Sequence, residues 1–287
     1  MITLIQVAVP AITFLVLAVV GSSLTPADFS RLWRAPLTIA SGLVAPLFLL
    51  PPLALGLVMV FRPPREIEAG LLLVAACPIG GISNTYSYLA RASTALSVTL
   101  TAASCLLAVI TIPVLDRFFE FVLQRPFGFR APFLLLLVQM LLMLALPIGL
   151  GMWARHRWPG WTVKRGAATQ RLAFLAMGVL LALFIASEAE RFLNSLGRTV
   201  PLAAAFVATS FLAGWLVGKT LAVSAADRFT LATEFATRNV AVATAIAVTL
   251  LGRAEFALFA TTYFLTELPL MLLAVTGFRI IRSESRP

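Results

Sequence analysis

Apolar residues in this chain come in long, almost unbroken runs separated by short polar groups. Nine runs stand out, at approximately 2–22, 36–61, 67–90, 93–115, 131–154, 167–189, 199–220, 229–251 and 255–281. About 20 mostly apolar residues make a helix that crosses the hydrocarbon core of a bilayer, so each run predicts one spanning helix. Transmembrane strands would instead be segments of about 10 residues with alternating polarity. Two of the runs are interrupted: 67–90 carries Pro78, Gly80 and Gly81 in CPIGGISN, and 229–251 carries Glu234, Arg238 and Asn239 in EFATRN. Proline has no N–H to donate and glycine weakens helical order. Both segments therefore predict helices opened part-way through the membrane, where the freed backbone groups need protein, water, an ion or a substrate as partners.

The basic stretch 155–171 reads as the longest loop, and the runs are read as a group of four, ending at 115, and a group of five, starting at 131. In each group the interrupted run is the one before the last, which predicts an inverted repeat with a site near the midplane. The expected fold is thus an all-α polytopic membrane protein of about nine transmembrane helices, with two broken helices crossing. The first run has no positive residue ahead of its apolar core, and charge first appears at Asp28, so it is read as a span and not as a cleavable signal. Residues 116–130 read as an amphipathic stretch on the outer interface.

Composition narrows the function. The chain is 60% hydrophobic and 12% charged, against about a quarter charged in soluble domains, so its partner is the lipid bilayer. The net charge of +10 asks for no nucleic acid: alternating loops place 13 Lys and Arg on one side and 8 on the other, with Arg238 inside a span. The richer side is cytoplasmic by the positive-inside rule, which puts the amino terminus outside and the carboxyl terminus inside the cell (inner) membrane. Cys77 and Cys105 lie in spans and His156 in the basic stretch, so the residues present neither a nucleophile with its base nor a cysteine metal cluster. No enzyme and no cofactor is expected.

Candidate chemistry gathers at the interruptions. Ser83 and Asn84 follow the first break, and Ser97 and Thr101 lie four apart, on one face of the next helix. Glu234, Arg238 and Glu267 are ionisable groups in spans, where charge is costly and usually functional. Plainer readings stand beside these. Gly80, Gly81, Ser83, Ser97 and Thr101 are also the small residues that let helices pack closely. Glu234 and Arg238, four apart, are spaced as a neutralising pair, and Glu267, just before Pro269, reads either as a partner for Arg238 or as a proton carrier.

The run CPIGGISNTYSYLARASTALSVTLT resembles the fourth helix of the bile acid:sodium symporter family. EFATRN followed by VAVATAIAV resembles that family's ninth helix, and TPADFSRLWRAP is similar to its D-F-x-x-x-x-x-x-P connection. The resemblance implies the nine-helix form of the family, with a panel of residues 1–30 and 131–190 and a core of 31–130 and 191–287 that rock against one another for alternating access. It implies a first sodium site at Ser83, Asn84, Ser97, Thr101 and Glu234, the neutral oxygens and carboxylate that hard cations favour. At the family's second sodium site, Leu47 and Arg238 stand where glutamines belong, so Arg238 is expected to replace the second ion. Gly81, Asn239 and Arg238, with the starts of the half-helices, are expected to hold a small organic anion, bile-acid-like or another carboxylate. The implied function is sodium-coupled symport, with sodium as coupling ion and a monomer as the simplest assembly. The alternatives are proton-coupled or uncoupled anion transport with Arg238 replacing the second sodium, and a non-transporting receptor.

Overall fold

The computed structural model describes residues 2–23, 36–125 and 133–284. The helices are α1 (Ile2–Ser23), α2 (Pro36–Phe61), α3 (Arg65–Ala76), α4 (Ser83–Leu89), α5 (Thr94–Leu123), α6 (Phe133–Met140), α7 (Leu146–Arg157), α8 (Pro159–Ser187), α9 (Ala189–Thr220), α10 (Ala225–Ala236), α11 (Val240–Ala245) and α12 (Ala257–Glu284). A π-helical turn, Leu141–Ala145, joins α6 to α7, and another, Ile246–Leu250, continues α11. No strand occurs among the described residues; the one β-type contact is an isolated antiparallel bridge between Ile79 and Arg238.

Six helices among the described residues are long and apolar enough to cross a membrane: Pro36–Phe61, Thr94–Leu123, Leu137–Arg157, Pro159–Ser187, Ala189–Thr220 and Ala254–Ser283. The two interrupted runs appear as pairs of short helices, α3 with α4 and α10 with α11. Elsewhere the helices outlast the apolar runs. α5 runs on to Leu123 through much of what reads as an interfacial stretch, and α9 begins at Ala189, ten residues before its apolar run. The basic stretch 155–171 is not a loop, since only Trp158 leaves the helix between α7 and α8. Hydropathy marks where lipid ends, whereas intrahelical hydrogen bonds continue into water, and Pro159 is well placed to start a helix because its missing N–H is not needed there. All of the TPADFSRLWRAP connection except its final Pro36, and residues 126–132, lie outside the described residues.

Helix α1 packs on α7 and α8. It approaches α7 so closely that a Cβ at Gly21 would fall on the Ile148 carbonyl, and one at Gly151 on the Ala18 carbonyl. The other group is built on α9, which packs on α10, α12 and α2, with α3 against α2 and α12. Buried aromatic contacts fasten it: Phe229 of α10 stacks on Phe278 of α12 at 4.3 Å, and Phe206 of α9 meets Tyr263 of α12 at 6.0 Å. The two groups meet where α1 runs past α11, beside the breaks.

Candidate functional site

The breaks account for each other's backbone groups. After α3 the chain turns extended at Cys77, and after α10 at Thr237. The segments then run antiparallel: Gly80 N–H donates to the Thr237 carbonyl at 3.0 Å, and Asn239 N–H to the Pro78 carbonyl at 2.8 Å. Gly80 is required here, because a Cβ would sit 2.7 Å from the Arg238 carbonyl oxygen. Side chains complete the accounting. Ile79 N–H donates to the Ser104 hydroxyl at 3.1 Å, the Cys105 thiol to the Ile79 carbonyl at 3.9 Å, and Arg238 N–H to the Tyr263 hydroxyl at 3.1 Å. The Tyr263 hydroxyl in turn donates to the Ala236 carbonyl, and the Arg238 guanidinium to the Cys77 carbonyl. Asn239 caps α11, its Oδ1 accepting from Val242 N–H at 3.2 Å. Groups that a membrane would otherwise leave stranded are thus satisfied by protein.

On one flank of this crossing lies a basin of oxygens. Glu234, wholly buried on α10, receives the Ser97 hydroxyl on Oε1 and the Thr101 hydroxyl on Oε2, the latter at 3.3 Å. Both hydroxyls also reach Asn84 Oδ1, at 2.8 and 3.3 Å. The Ser83 hydroxyl is 3.5 Å from that of Ser97 and 3.3 Å from that of Thr101. All five residues expected in the first sodium site therefore converge. A hydroxyl serves either way here: it donates to the bare carboxylate, or turns its lone pairs toward a cation.

Arg238 goes elsewhere. It makes no ion pair with Glu234: beyond the Cys77 carbonyl, its Nε and Nη1 are buried without hydrogen-bond partners. The plainer reading of a neutralising ion pair is not met, because the backbone turns extended at Thr237 between the two residues and the guanidinium goes to the Cys77 carbonyl. Arg238 borders a niche of about 20 Å³ shared with Leu47, Ser104 and Thr111, room for about one water. Glu267 is not its partner either. That carboxyl accepts from the Thr237 hydroxyl at 3.1 Å.

A larger cavity of about 580 Å³ opens between the two helix groups. Gly81, Asn84, Asn239 and Arg238 border it from the crossing, Val20 from α1, and Gln170 and Phe174 from α8. Gly81 and Asn239, two of the residues expected to hold a cargo, both border this cavity, and Leu47 lies away from it. The sequence reading missed Thr237, Tyr263 and Ser104, which hold the crossing, and Thr230 and Thr233, whose hydroxyls meet that of Ser87 at 3.5 and 3.4 Å. Their signal was available: Thr230, Thr233 and Thr237 recur at helical spacing around Glu234.

Comparison with known proteins places residues 10–195 in the sequence pattern of the Sodium Bile acid symporter family. Relatives include an uncharacterized sodium-dependent transporter, YocS, of Bacillus subtilis (strain 168), 39% identical over 99 residues, which is 34% of this chain and 31% of that protein. The probable chloroplastic sodium/metabolite cotransporter BASS2 of Oryza sativa subsp. japonica is 29% identical over 206 residues, 71% of this chain and 47% of that protein. Sodium/bile acid cotransporter 5 of Rattus norvegicus is 27% identical over 152 residues, 52% of this chain and 35% of that protein. The chain spans about a third to a half of the length of these relatives.

Proposed function

The chain belongs to the Sodium Bile acid symporter family, and from that premise we propose that it is a secondary transporter coupling sodium to the movement of a small organic anion. One observation carries the sodium half: Ser83, Asn84, Ser97 and Thr101 bring four neutral oxygens to a buried Glu234 that forms no ion pair among the described residues. Isolated carboxylates are costly in such surroundings, and a small hard cation fits oxygens of this kind. Support for the anion comes from the larger cavity. Its volume falls within the ~300–1,000 Å³ of small-molecule sites, and among the described residues Arg238 is the only charged one bordering it. The cargo lies between Gly81, Asn239 and Arg238.

Arg238 takes the place of a second ion. Its guanidinium is fixed against the Cys77 carbonyl beside the apolar Leu47, and the niche there admits about one water. Transport is then coupled to one sodium. The grouping of α1 with α7 and α8, apart from α2, α3, α9, α10 and α12, supports a panel of 1–30 and 131–190 moving against a core of 31–130 and 191–287. Nine spans in an inverted repeat, the amino terminus outside and the carboxyl terminus in the cytoplasm complete this reading.

The test is uptake of labelled carboxylates into proteoliposomes with and without an inward sodium gradient. Wild-type protein should accumulate one of them only with the gradient, with a first-order dependence on sodium. Gradient-independent accumulation removes the coupling, and a two-sodium stoichiometry removes the role given to Arg238.

A further inference from the structure

Glu267 is wholly buried on α12, one turn after Tyr263. Its Oε1 accepts from the Thr237 hydroxyl at 3.1 Å, and its Oε2 has no hydrogen-bond partner. The hydroxyl of Tyr86, buried on α4 and with no other hydrogen-bond partner, faces it. Two orphaned polar atoms therefore look at each other across a contact that joins both broken helices to α12.

The surroundings decide what this pair needs. Tyr86 from α4 and Tyr263 from α12 itself are the titratable groups that face the carboxyl. The Tyr263 hydroxyl is committed to the Ala236 carbonyl. From the break Thr237 offers a neutral hydroxyl, while Arg238 turns to the Cys77 carbonyl. Among the described residues no ionisable side chain of α3, α9 or α10 engages Glu267, and it joins no ion pair. Hydroxyls can donate to a carboxylate, but they leave its charge uncancelled, and a lone buried charge in a membrane is neutralised or not tolerated.

We propose that Glu267 is a proton-binding site set beside the crossing: one proton on Oε2 neutralises the carboxyl and is donated to the Tyr86 oxygen. The proton comes from water and returns to it, and no other bond changes. Thr237 ties the site to the crossing, since its hydroxyl donates to Glu267 and its carbonyl accepts from Gly80 N–H. Losing the proton strengthens the pull of the carboxylate on Thr237 and Tyr86 together, so both broken helices sense it. The inference does not rest on the sodium reading, because Glu234 and Glu267 have separate partners.

Infrared difference spectroscopy of the full chain in lipid vesicles, titrated from acid to alkali in saturating sodium chloride, tests this. Wild-type protein should show a protonated-carboxyl C=O band at neutral pH that Glu267→Gln removes, Glu234→Gln leaves in place, and Tyr86→Phe keeps but shifts towards weaker hydrogen bonding. A band that survives Glu267→Gln overturns the proposal, as does a carboxylate at Glu267 throughout the neutral range. Thermal unfolding in the same saturating sodium chloride, so that sodium and not a proton occupies Glu234, gives a second readout. The folded state binds a proton that the unfolded carboxylate has released, so stability falls as pH rises, by about tenfold in the folding equilibrium per pH unit until the folded state also ionises. Glu267→Gln keeps an oxygen for Thr237 and a donor for Tyr86 and should lose that alkaline fall. The same fall in the variant counts against the site. Failure of sodium-driven uptake with this band intact would refute the transport reading alone.

Discussion

Four positions separate Glu234 from Arg238, yet the two flanks of the crossing are built from opposite materials. Around Glu234 the neighbours are rotatable hydroxyls and an amide oxygen, with no cation among them. Around Arg238 they are a backbone carbonyl, an apolar Leu47 and about one water's worth of space. The first flank offers lone pairs to something that can come and go. The second is already filled by a charge that cannot leave. Polarity alone does not make an ion site; what counts is whether the positive charge belongs to the chain.

Substitutions can break or sharpen that contrast. The largest effect is expected for Glu234→Ala: removing one partner of a buried charge pair costs about 3–5 kcal/mol, so sodium dependence of uptake should be lost, with half-saturation raised more than ~100-fold. Next comes the crossing that both flanks share. Gly80→Ala puts a Cβ 2.7 Å from the Arg238 carbonyl oxygen, and such overpacking costs about 1–3 kcal/mol, which thermal unfolding in detergent would report as a lowered midpoint. Gly81→Ala, whose Cβ meets nothing closer than a Val20 methyl at 3.5 Å, should move that midpoint by less than ~0.5 kcal/mol equivalent. The hydroxyls then separate the flanks. Ser83→Ala should weaken sodium severalfold, about 1 kcal/mol, with little change in stability, whereas Ser104→Ala strands Ile79 N–H and should lower stability by ~1–3 kcal/mol without changing the sodium order. The subtlest outcome belongs to the filled flank. Arg238→Gln alone should leave a first-order sodium dependence, and only Arg238→Gln with Leu47→Gln should steepen it, as measured by initial uptake rates against sodium concentration.

Much of the crossing was legible in the chain. Pro78, Gly80 and Gly81 announce one break and EFATRN the other, and the spacing of Ser97 and Thr101 puts both hydroxyls on one face. What the sequence could not convey is where long side chains go. The spacing of Glu234 and Arg238 fits an ion pair, but that rule assumes an uninterrupted helix, and α10 ends at Ala236 between them. The backbone turns extended at Thr237 and carries Arg238 towards Cys77 instead. Helix ends were misread for another reason. Most of the basic stretch 155–171 lies between two apolar runs, but intrahelical hydrogen bonds do not need lipid, so α7 and α8 run on to either side of Trp158.

The hydrogen bonds across the crossing also bear on how the chain is made. Cys77 and Arg238 are 161 positions apart, so α3 and α4 leave the ribosome long before the segment that receives their exposed amides and carbonyls. Until that segment arrives, the first half must shelter an unpaired stretch of main chain at bilayer depth. Biogenesis should therefore stall, or draw on a chaperone or trapped water, at any truncation that ends between α4 and α10.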